Sequence, residues 1–569
     1  MAKNKLSLIG IITILLLLSL AWWSSLTIGL STDEYFHHIN GLVRYKYLIS
    51  FGEFEGYQFR NNQFYPGLYD TLSYALGQII LLINKSFYAN NIDFVMHIVN
   101  ISFSTLSILG LFLFTKKLFN SNIALYASLL TLLNPFFFGH MGMNSKDIIV
   151  FFSLIWFCYY FYSYCVEDEE LYKNLFLSSF FIGFGCGVRL TFLVVIFPVI
   201  ISGLVFLFIK YKSNLKHLTK RLFIHSPIAI IISLFLIVLC WPHMIEEIQN
   251  DNFVNFFSLI VKNTINWNDG PKIGLINGEY YEVFNTPKTY FLDIIIYRLP
   301  FFSTFLLLGS YFLFFLKKMS IQNEITNFNL KFYFVNILAL FPIFLALLLS
   351  VNLYDNLRLF LFTIPFFSLI AAFSLDQLFN NFKNSYKSKI SLSIVLILFS
   401  LYSYRFILLT PYHYNYVNYS SIFYEDSKDN WEHDYWGTSY KDLVLEIKKK
   451  YSIEEIQNMK ITNCSGDSTL LYYLVRKLGI KKIYRGEKEV EANYVVLINR
   501  TTLDIFNPKI YPNLKHLVDR EGVMKVKDME YIVRYPNVQT TCFKQYSGTD
   551  EVIISRNGVP FSVFRKLNY

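Results

Sequence analysis

The run Ser31-Thr32-Asp33-Glu34-Tyr35-Phe36-His37-His38 sets an acidic pair, with His37 close behind it, directly after an apolar stretch from Leu6 to Leu30. A carboxylate in that place stands at the boundary between hydrocarbon and water, where it can meet both a lipid-borne phosphate and a water-side acceptor. The same two residues also suit the first turn of a helix, where acidic side chains complement the helix dipole. On these residues alone both readings stand.

A matching set of charged groups recurs further along the chain. His140-Met141-Gly142-Met143-Asn144-Ser145-Lys146-Asp147 is a tight turn between apolar stretches that offers one cation and one carboxylate. Asp147 also reads as a helix-start residue, and Lys146 as a side chain reaching for the interface. Arg189 follows Gly183-Phe184-Gly185-Cys186-Gly187-Val188. Within a bilayer an arginine costs about 2.5 to 3.5 kcal/mol unless it pairs or lines a polar cavity, so Arg189 is either a phosphate ligand or an interfacial anchor. Trp241-Pro242-His243, Tyr297-Arg298-Leu299-Pro300 and Tyr354-Asp355-Asn356-Leu357-Arg358 complete the set. Arginine suits phosphate because its planar fork donates two parallel charge-assisted hydrogen bonds. With Lys146, the three arginines Arg189, Arg298 and Arg358 suffice for a phosphate or diphosphate leaving group. His37, Asp147, His243, Tyr354 and Asp355 are the supporting candidates.

These groups need a scaffold that gathers them on one side of a membrane. The 569 residues are 54% hydrophobic and 19% aromatic, more than a water-soluble core can bury. Apolar runs long enough to cross about 30 Å of hydrocarbon fall near 6 to 30, 92 to 114, 122 to 139, 148 to 164, 174 to 190, 191 to 209, 223 to 241, 299 to 316, 332 to 350, 359 to 377 and 390 to 410. The expected architecture is therefore a polytopic α-helical membrane domain over 1 to 410 with about 11 transmembrane helices. The first run is longer than a signal-peptide core and lacks a small-residue cleavage site, so it is expected to be a retained helix. Tyr65 to Ile83 carries Asp70, Gln78 and Asn84 and suits a helix lying at the interface within a first outer loop spanning 31 to 91.

The net charge of +10 does not point to nucleic acid, because the basic residues collect in short connections between apolar runs. With the N-terminus inside, the cytoplasmic connections hold Lys116-Lys117, the group Lys210, Lys212, Lys216, Lys220 and Arg221, then Lys317-Lys318, and Lys383, Lys387 and Lys389. One cytoplasmic connection, Glu167-Asp168-Glu169-Glu170, is acidic, which counts little in setting orientation. The same parity puts Asp33-Glu34, Asn144 to Asp147, the loop from Trp241 to Tyr290, Tyr354 to Arg358 and everything after Pro411 outside.

From 411 to 569 the composition is that of an ordinary globular domain, expected to be a small extracytoplasmic α/β unit. Met459 to Cys464, Lys481 to Tyr484 and Tyr494 to Ile498 read as strands, and Ser468 to Leu478 as a helix. Glu551 to Leu567 reads as a hairpin turning at Asn557-Gly558. Cys158, Cys165, Cys186 and Cys240 fall in apolar runs and read as small buried hydrophobes. Cys464 and Cys542 lie in the outer domain, where a disulfide is permitted.

An acidic pair after the first membrane helix, a long first outer loop with interfacial helices, a second outer turn ending Lys146-Asp147 and about eleven spans together resemble the GT-C glycosyltransferases. The resemblance is to the protein O-mannosyltransferase and aminoarabinose-transferase branch, and it covers roughly 6 to 410. Asn144-Ser145-Lys146-Asp147, Tyr354-Asp355-Asn356-Leu357-Arg358 and Asp434-Tyr435-Trp436-Gly437-Thr438-Ser439-Tyr440 are similar to a bacterial subfamily labelled family 39 or RgtA/B/C/D-like. That resemblance implies a polyprenyl-phosphate sugar donor and places Asp33 at the catalytic acidic position. It implies an inverting displacement in which Asp33 takes the proton of an acceptor hydroxyl while cations hold the departing phosphate. Glu34 is then a partner that tunes Asp33, or with Asp147 a ligand of Mg²⁺ or Mn²⁺; the site also works in outline without a metal.

Two features depart from the family's better-known branches. The C-terminal domain does not resemble a β-trefoil, and Asp434-Tyr435-Trp436-Gly437 is not the Trp-Trp-Asp-Tyr-Gly motif of oligosaccharyltransferases, so it reads as an aromatic turn that docks the outer domain. A lipid, a glycan or a protein all remain as acceptors, in a bacterial inner membrane. Two other classes fit the same pattern, a transporter or flippase of lipid-linked sugars and an O-antigen polymerase or ligase. Transporters commonly carry internal repeats with ionisable groups at the bilayer midplane; here there is no repeat and the ionisable groups cluster at one interface.

Overall fold

The computed structural model describes residues 2–54, 65–250, 252, 254–255, 258, 273–283, 286–316, 325–381, 385–418, 430–464, 468–481, 483–484, 491–500, 505–506, 520–526, 529–535, 543 and 546–568. Lys317-Lys318, Lys383 and Cys542, which figure in the reading above, lie outside these. Among the described residues, eight helices are long and apolar enough to cross a membrane, or nine if one bent pair counts as a single span.

All of the expected apolar runs appear as helical segments, and three of them are shortened, broken or bent, each with a local cause. Within 122 to 139 the chain breaks at Asn134-Pro135. The Asn134 side chain accepts from Phe136 N and Phe137 N and caps a new short helix, Pro135–His140, leaving Ser121–Leu132 with 12 residues. Within 174 to 190 the helix Leu171–Cys186 stops after 16 residues, just before Gly187. Near 299 to 316 the helices Tyr290–Arg298 and Phe301–Phe315 meet at a 117° bend, set by the extended Leu299 and Pro300 between them. The crossings are kept nonetheless: Arg189 lies 3.2 Å from Asp147, so the chain that leaves the site along Asp147–Val166 returns to it along Leu171–Cys186.

Burial separates central helices from peripheral ones. The spans Asp147–Val166 and Arg358–Asn381 are 78% and 83% buried, against 22% for the first span and 17% for Leu215–Cys240. The central pair explains where the chemistry lies, because Asp147 opens one and Arg358 opens the other. Asp147–Val166 packs on Ile92–Leu118 and Leu171–Cys186, and Ile364–Asn381 packs on Ser121–Leu132 and Phe301–Phe315. Without a solvent-driven hydrophobic effect, such contacts depend on close approach of small residues. A Cβ on Gly183 would stand 2.6 Å from Leu236 Cβ and 2.8 Å from Ser233 O. Alongside, Ser233 Oγ donates to Ser179 O at 3.0 Å.

Leu68–Ile83, expected as an interfacial helix, is a 16-residue helix that buries Tyr69, Asp70, Ser73 and Gly77 against Glu34–Ile49. In the C-terminal region the strand Ile461–Asn463 runs parallel to Tyr494–Ile498. The latter pairs antiparallel with Val559–Leu567, and Gly548–Arg556 forms the edge beyond it. The expected hairpin turn at Asn557-Gly558 is present, with φ of 53° and 73° at its two residues. Both values are positive, as tight hairpin turns of this kind require. The strand expected at Lys481 to Tyr484 reduces to a single bridge between Ile461 and Ile483. Ser468 to Leu478 is helical, changing from an α-turn to a wider π-turn at Tyr472. Cys464 is disulfide-bonded, whereas Cys158, Cys165, Cys186 and Cys240 are free.

A charged centre built on Arg358

Asp33 occupies the residue before the helix Glu34–Ile49, yet its side chain makes no capping hydrogen bond. It is 45% exposed and lies 3.4 Å from Arg358 Nη2. The guanidinium of Arg358 is the hub of the site. Its Nη1 donates to Asp355 Oδ2 at 2.7 Å, and its Nε stands 3.7 Å from Asp147 Oδ2. Arg189 reaches the other oxygen of Asp147 at 3.2 Å, with its own side chain 28% exposed. Three carboxylates and two guanidiniums from four separate stretches of chain are thereby interlocked.

Local backbone geometry sets each partner. Asn144 Oδ1 accepts from Asp147 N at 2.9 Å and Asn144 Nδ2 donates to Asp147 Oδ2 at 3.1 Å, which fixes the start of that helix and the direction of its carboxylate. Asp355 and Asn356 both adopt left-handed conformations, with φ of 54° and 60°. The resulting tight reversal lets Asp355 face Arg358 three residues later. Tyr354 and Trp436 flank the guanidinium, with its carbon 5.6 Å and 4.6 Å from the respective ring centroids; such stacking holds an arginine plane while leaving its donors free.

The Asp33 carboxyl sits below the ordinary carboxylate range. Desolvation alone would raise it, but Arg358, His37, Lys146 and Arg500 together outweigh that effect. Lys146 is held below the usual lysine value by desolvation and by Arg189, against the pull of Asp70 and Asp33. Its ammonium lies 5.9 Å from the Tyr65 ring centroid.

Several sequence candidates sit elsewhere. Glu34, expected beside Asp33, is fully buried and turned into the protein. Its Oε2 accepts from Ser31 N at 2.8 Å and lies 3.1 Å from His97 Nε2, and its Oε1 accepts from Asn100 at 3.3 Å. It organises the turn that presents Asp33. His37 Nδ1 lies 2.9 Å from Asp70 Oδ1, and Arg44 approaches the other oxygen at 3.9 Å. Arg298 is buried, donates to the carbonyls of Tyr416 and Glu432 and stacks on Trp431, which makes it a docking residue and not a phosphate ligand. His243 faces Glu246 and Glu247 of its own helix at 2.9 and 3.0 Å.

Sequence reasoning missed Arg500 and the part played by Trp436. Arg500 Nη2 is 3.5 Å from Asp355 Oδ1, and its Nη1 donates to Tyr435 O at 2.7 Å. The turn carrying Trp436 docks as expected: Thr32 N donates to Trp436 O at 2.8 Å and Gly29 N to Thr438 O at 3.2 Å. Inside the turn, Asp434 accepts from Thr438 N, Ser439 N and the hydroxyls of Tyr414 and Ser439. Burial pushes its carboxyl up to about 6. Nothing in the spacing of Arg500 marks it in sequence, since it lies far along the chain from every other member.

The carboxylates do not fit a shared Mg²⁺ or Mn²⁺, which needs several oxygens converging on one point. Asp33, Asp147 and Asp355 converge on a guanidinium instead. Among the described residues no group of three or more His, Cys, Asp and Glu side chains has metal-binding spacing.

Residues 79–241 match the family model described as dolichyl-phosphate-mannose-protein mannosyltransferase. No curated protein matches the sequence. Among solved structures, ArnT from Cupriavidus metallidurans in the apo state superposes with a TM-score of 0.50 at 12% identity, covering 94% of this chain and 98% of that one. ArnT from the same organism bound to undecaprenyl phosphate gives 0.48 at 11% identity, over 92% and 97% of the two chains. The apo oligosaccharyltransferase of Archaeoglobus fulgidus gives 0.45 at 11% identity, over 86% and 69%. The expected GT-C fold, a helical membrane body followed by a C-terminal sheet region, is thus borne out.

Proposed function

We propose that this membrane glycosyltransferase of the GT-C fold takes a sugar from a polyprenyl-phosphate donor and passes it to an acceptor hydroxyl, with Asp33 as general base and inversion at the anomeric carbon. The observation that carries the reading is the pairing of a partly exposed carboxylate, Asp33, with a shared guanidinium, Arg358, at the mouth of the two most buried spans. Asp33 is ionised and open to an incoming hydroxyl, as a base must be. Arg189, partly exposed, and Lys146 flank the same centre and suit a phosphate whose negative charge grows as the glycosidic bond breaks.

In the reaction the acceptor oxygen attacks the anomeric carbon and its proton passes to an Asp33 carboxylate oxygen. The carbon–oxygen bond to the phosphate breaks on the opposite face, and polyprenyl phosphate departs with that electron pair. Arg358 serves both halves by holding Asp33 in place and lending positive charge to the region of the leaving group. The acceptor is a lipid, a glycan or a protein hydroxyl, and the active face is the extracytoplasmic one.

The test is transfer or release of labelled sugar from a polyprenyl-phosphate hexose by the purified full-length protein, compared with Asp33→Asn. Loss of a general base costs about 10² to 10⁴-fold. Because the side chain is partly exposed and makes no cap, the variant should insert and fold normally. Near wild-type turnover in Asp33→Asn would sink the assignment, and vectorial movement of the intact lipid-linked sugar without transfer would favour a transporter.

A further inference from the structure

Arg500 belongs to the loop after strand Tyr494–Ile498 in the C-terminal region, yet its side chain enters the charged centre of the membrane body. One arm donates to Tyr435 O at 2.7 Å, and the other lies 3.5 Å from Asp355 Oδ1. The second oxygen of Asp355 accepts from Arg358 Nη1 at 2.7 Å, and Arg358 Nη2 faces Asp33 at 3.4 Å. The chain Arg500, Asp355, Arg358, Asp33 is therefore continuous. Asp355 is nearly fully buried and held in a left-handed backbone conformation, so its carboxylate has little freedom beyond the direction its two arginines impose.

We propose that Arg500 is a positioning residue for the reaction centre: by holding Asp355 it aims Arg358 at Asp33, so the C-terminal region supplies a working part of the site. Trp436, from the same region, supports this by stacking on the guanidinium of Arg358. A region present only to bind or present an acceptor would not need to set an arginine against Asp355. The inference rests on the reading of Asp33 as the base, and its test is kept separate from that reading.

Asp33→Cys places a titrating thiol where the base stands, partly exposed and reachable by a small alkylating reagent such as iodoacetamide. The charged groups acting on that position are Arg358, His37, Lys146 and Arg500, and loss of a nearby cation makes a thiolate harder to form. In full-length protein, adding Arg500→Ala should raise the pH midpoint of alkylation and lower the rate at neutral pH on the order of threefold. The parent chain with its own cysteines serves as the blank. If Arg500 acts through Asp355, the same substitution in an Asp355→Asn background should add little, because the link is already cut. Should Arg500→Ala fail to accumulate, Arg500→Gln removes the charge while retaining a donor for Tyr435 O and reads the same midpoint. An unchanged midpoint overturns the proposal, and so does an equal shift with and without Asp355, which would mean long-range charge alone. Retained transfer by Asp33→Asn would overturn the functional reading instead, leaving the thiol result to stand as geometry.

Discussion

Asp33 and Glu34 are neighbours in sequence and opposites in role, because successive residues at the start of a helix point about 100° apart. Asp33 faces Arg358 and water, while Glu34 faces His97 and Asn100 in the interior. Composition placed both at the interface, but only the helix rotation decides which one meets a substrate. The same limit applies to Arg298 and Arg358: both stand at an apolar boundary with a tyrosine within four residues before them, and one is consumed by backbone carbonyls while the other gathers carboxylates. Asp147 and Arg189 were legible because each stands at an end of an apolar run, and Tyr354 and Asp355 because they lie in the short connection between two. For Asp33 the pH consequence has a definite sign. A base must be ionised, and its carboxyl lies below the ordinary 3.8, so the acid limb of the transfer rate should lie below that value and fall as pH drops through it. In Arg358→Ala, initial rates measured against pH should show the limb displaced upward along with a lower plateau. A wild-type limb at or above 3.8 would contradict the ion pair.

At the scale of elements, the turn Asp434 to Tyr440 locks the C-terminal region to the segment entering the helix Glu34–Ile49. Sequence showed the turn's aromatic character and its docking role but not its partner, since the two segments are separated by the whole membrane body. Gly29 marks the contact: a Cβ there would lie 2.4 Å from Thr438 O and 2.8 Å from Lys441 Cβ. Gly29→Ala must therefore shift the backbone of the turn, and overpacking of this kind costs roughly 1 to 3 kcal/mol. The expected outcome is a lower thermal midpoint together with reduced transfer, because moving the turn also moves Trp436 off Arg358. Thermal unfolding with full activity retained would show that the contact is merely structural. The strands Tyr494–Ile498 and Val559–Leu567 were legible from alternation and the Asn-Gly turn. The breaks within three of the apolar runs were not, because an apolar run reveals its length and hides a cap or a bend inside it.

For the molecule as a whole, Thr32 and Trp436 are hydrogen-bonded, so the start of the first loop and the C-terminal region share one side of the membrane whatever the count of spans between them. A cysteine at the exposed Gln457 should thus react with an impermeant thiol reagent added outside intact cells, and one at the exposed Ser213 should not, given the basic run from Lys210 to Arg221. Labelling at Ser213 alone would invert the orientation of the active face. The interlocking of the charged centre also bears on how a donor arrives. Arg189, Arg358 and Arg500 already face Asp147, Asp33 and Asp355, and Lys146 lies among Asp33 and Asp70, so most of the cationic charge at the site is compensated before a donor arrives. Ionic strength should consequently matter little: raising sodium chloride from roughly 50 mM to roughly 500 mM, which shortens electrostatic reach several-fold, is expected to change the donor KM less than about twofold. A steep loss would reveal an open cationic funnel. With its arginines already paired, the centre is suited to hold a phosphate by contact at close range and draws little on attraction from a distance.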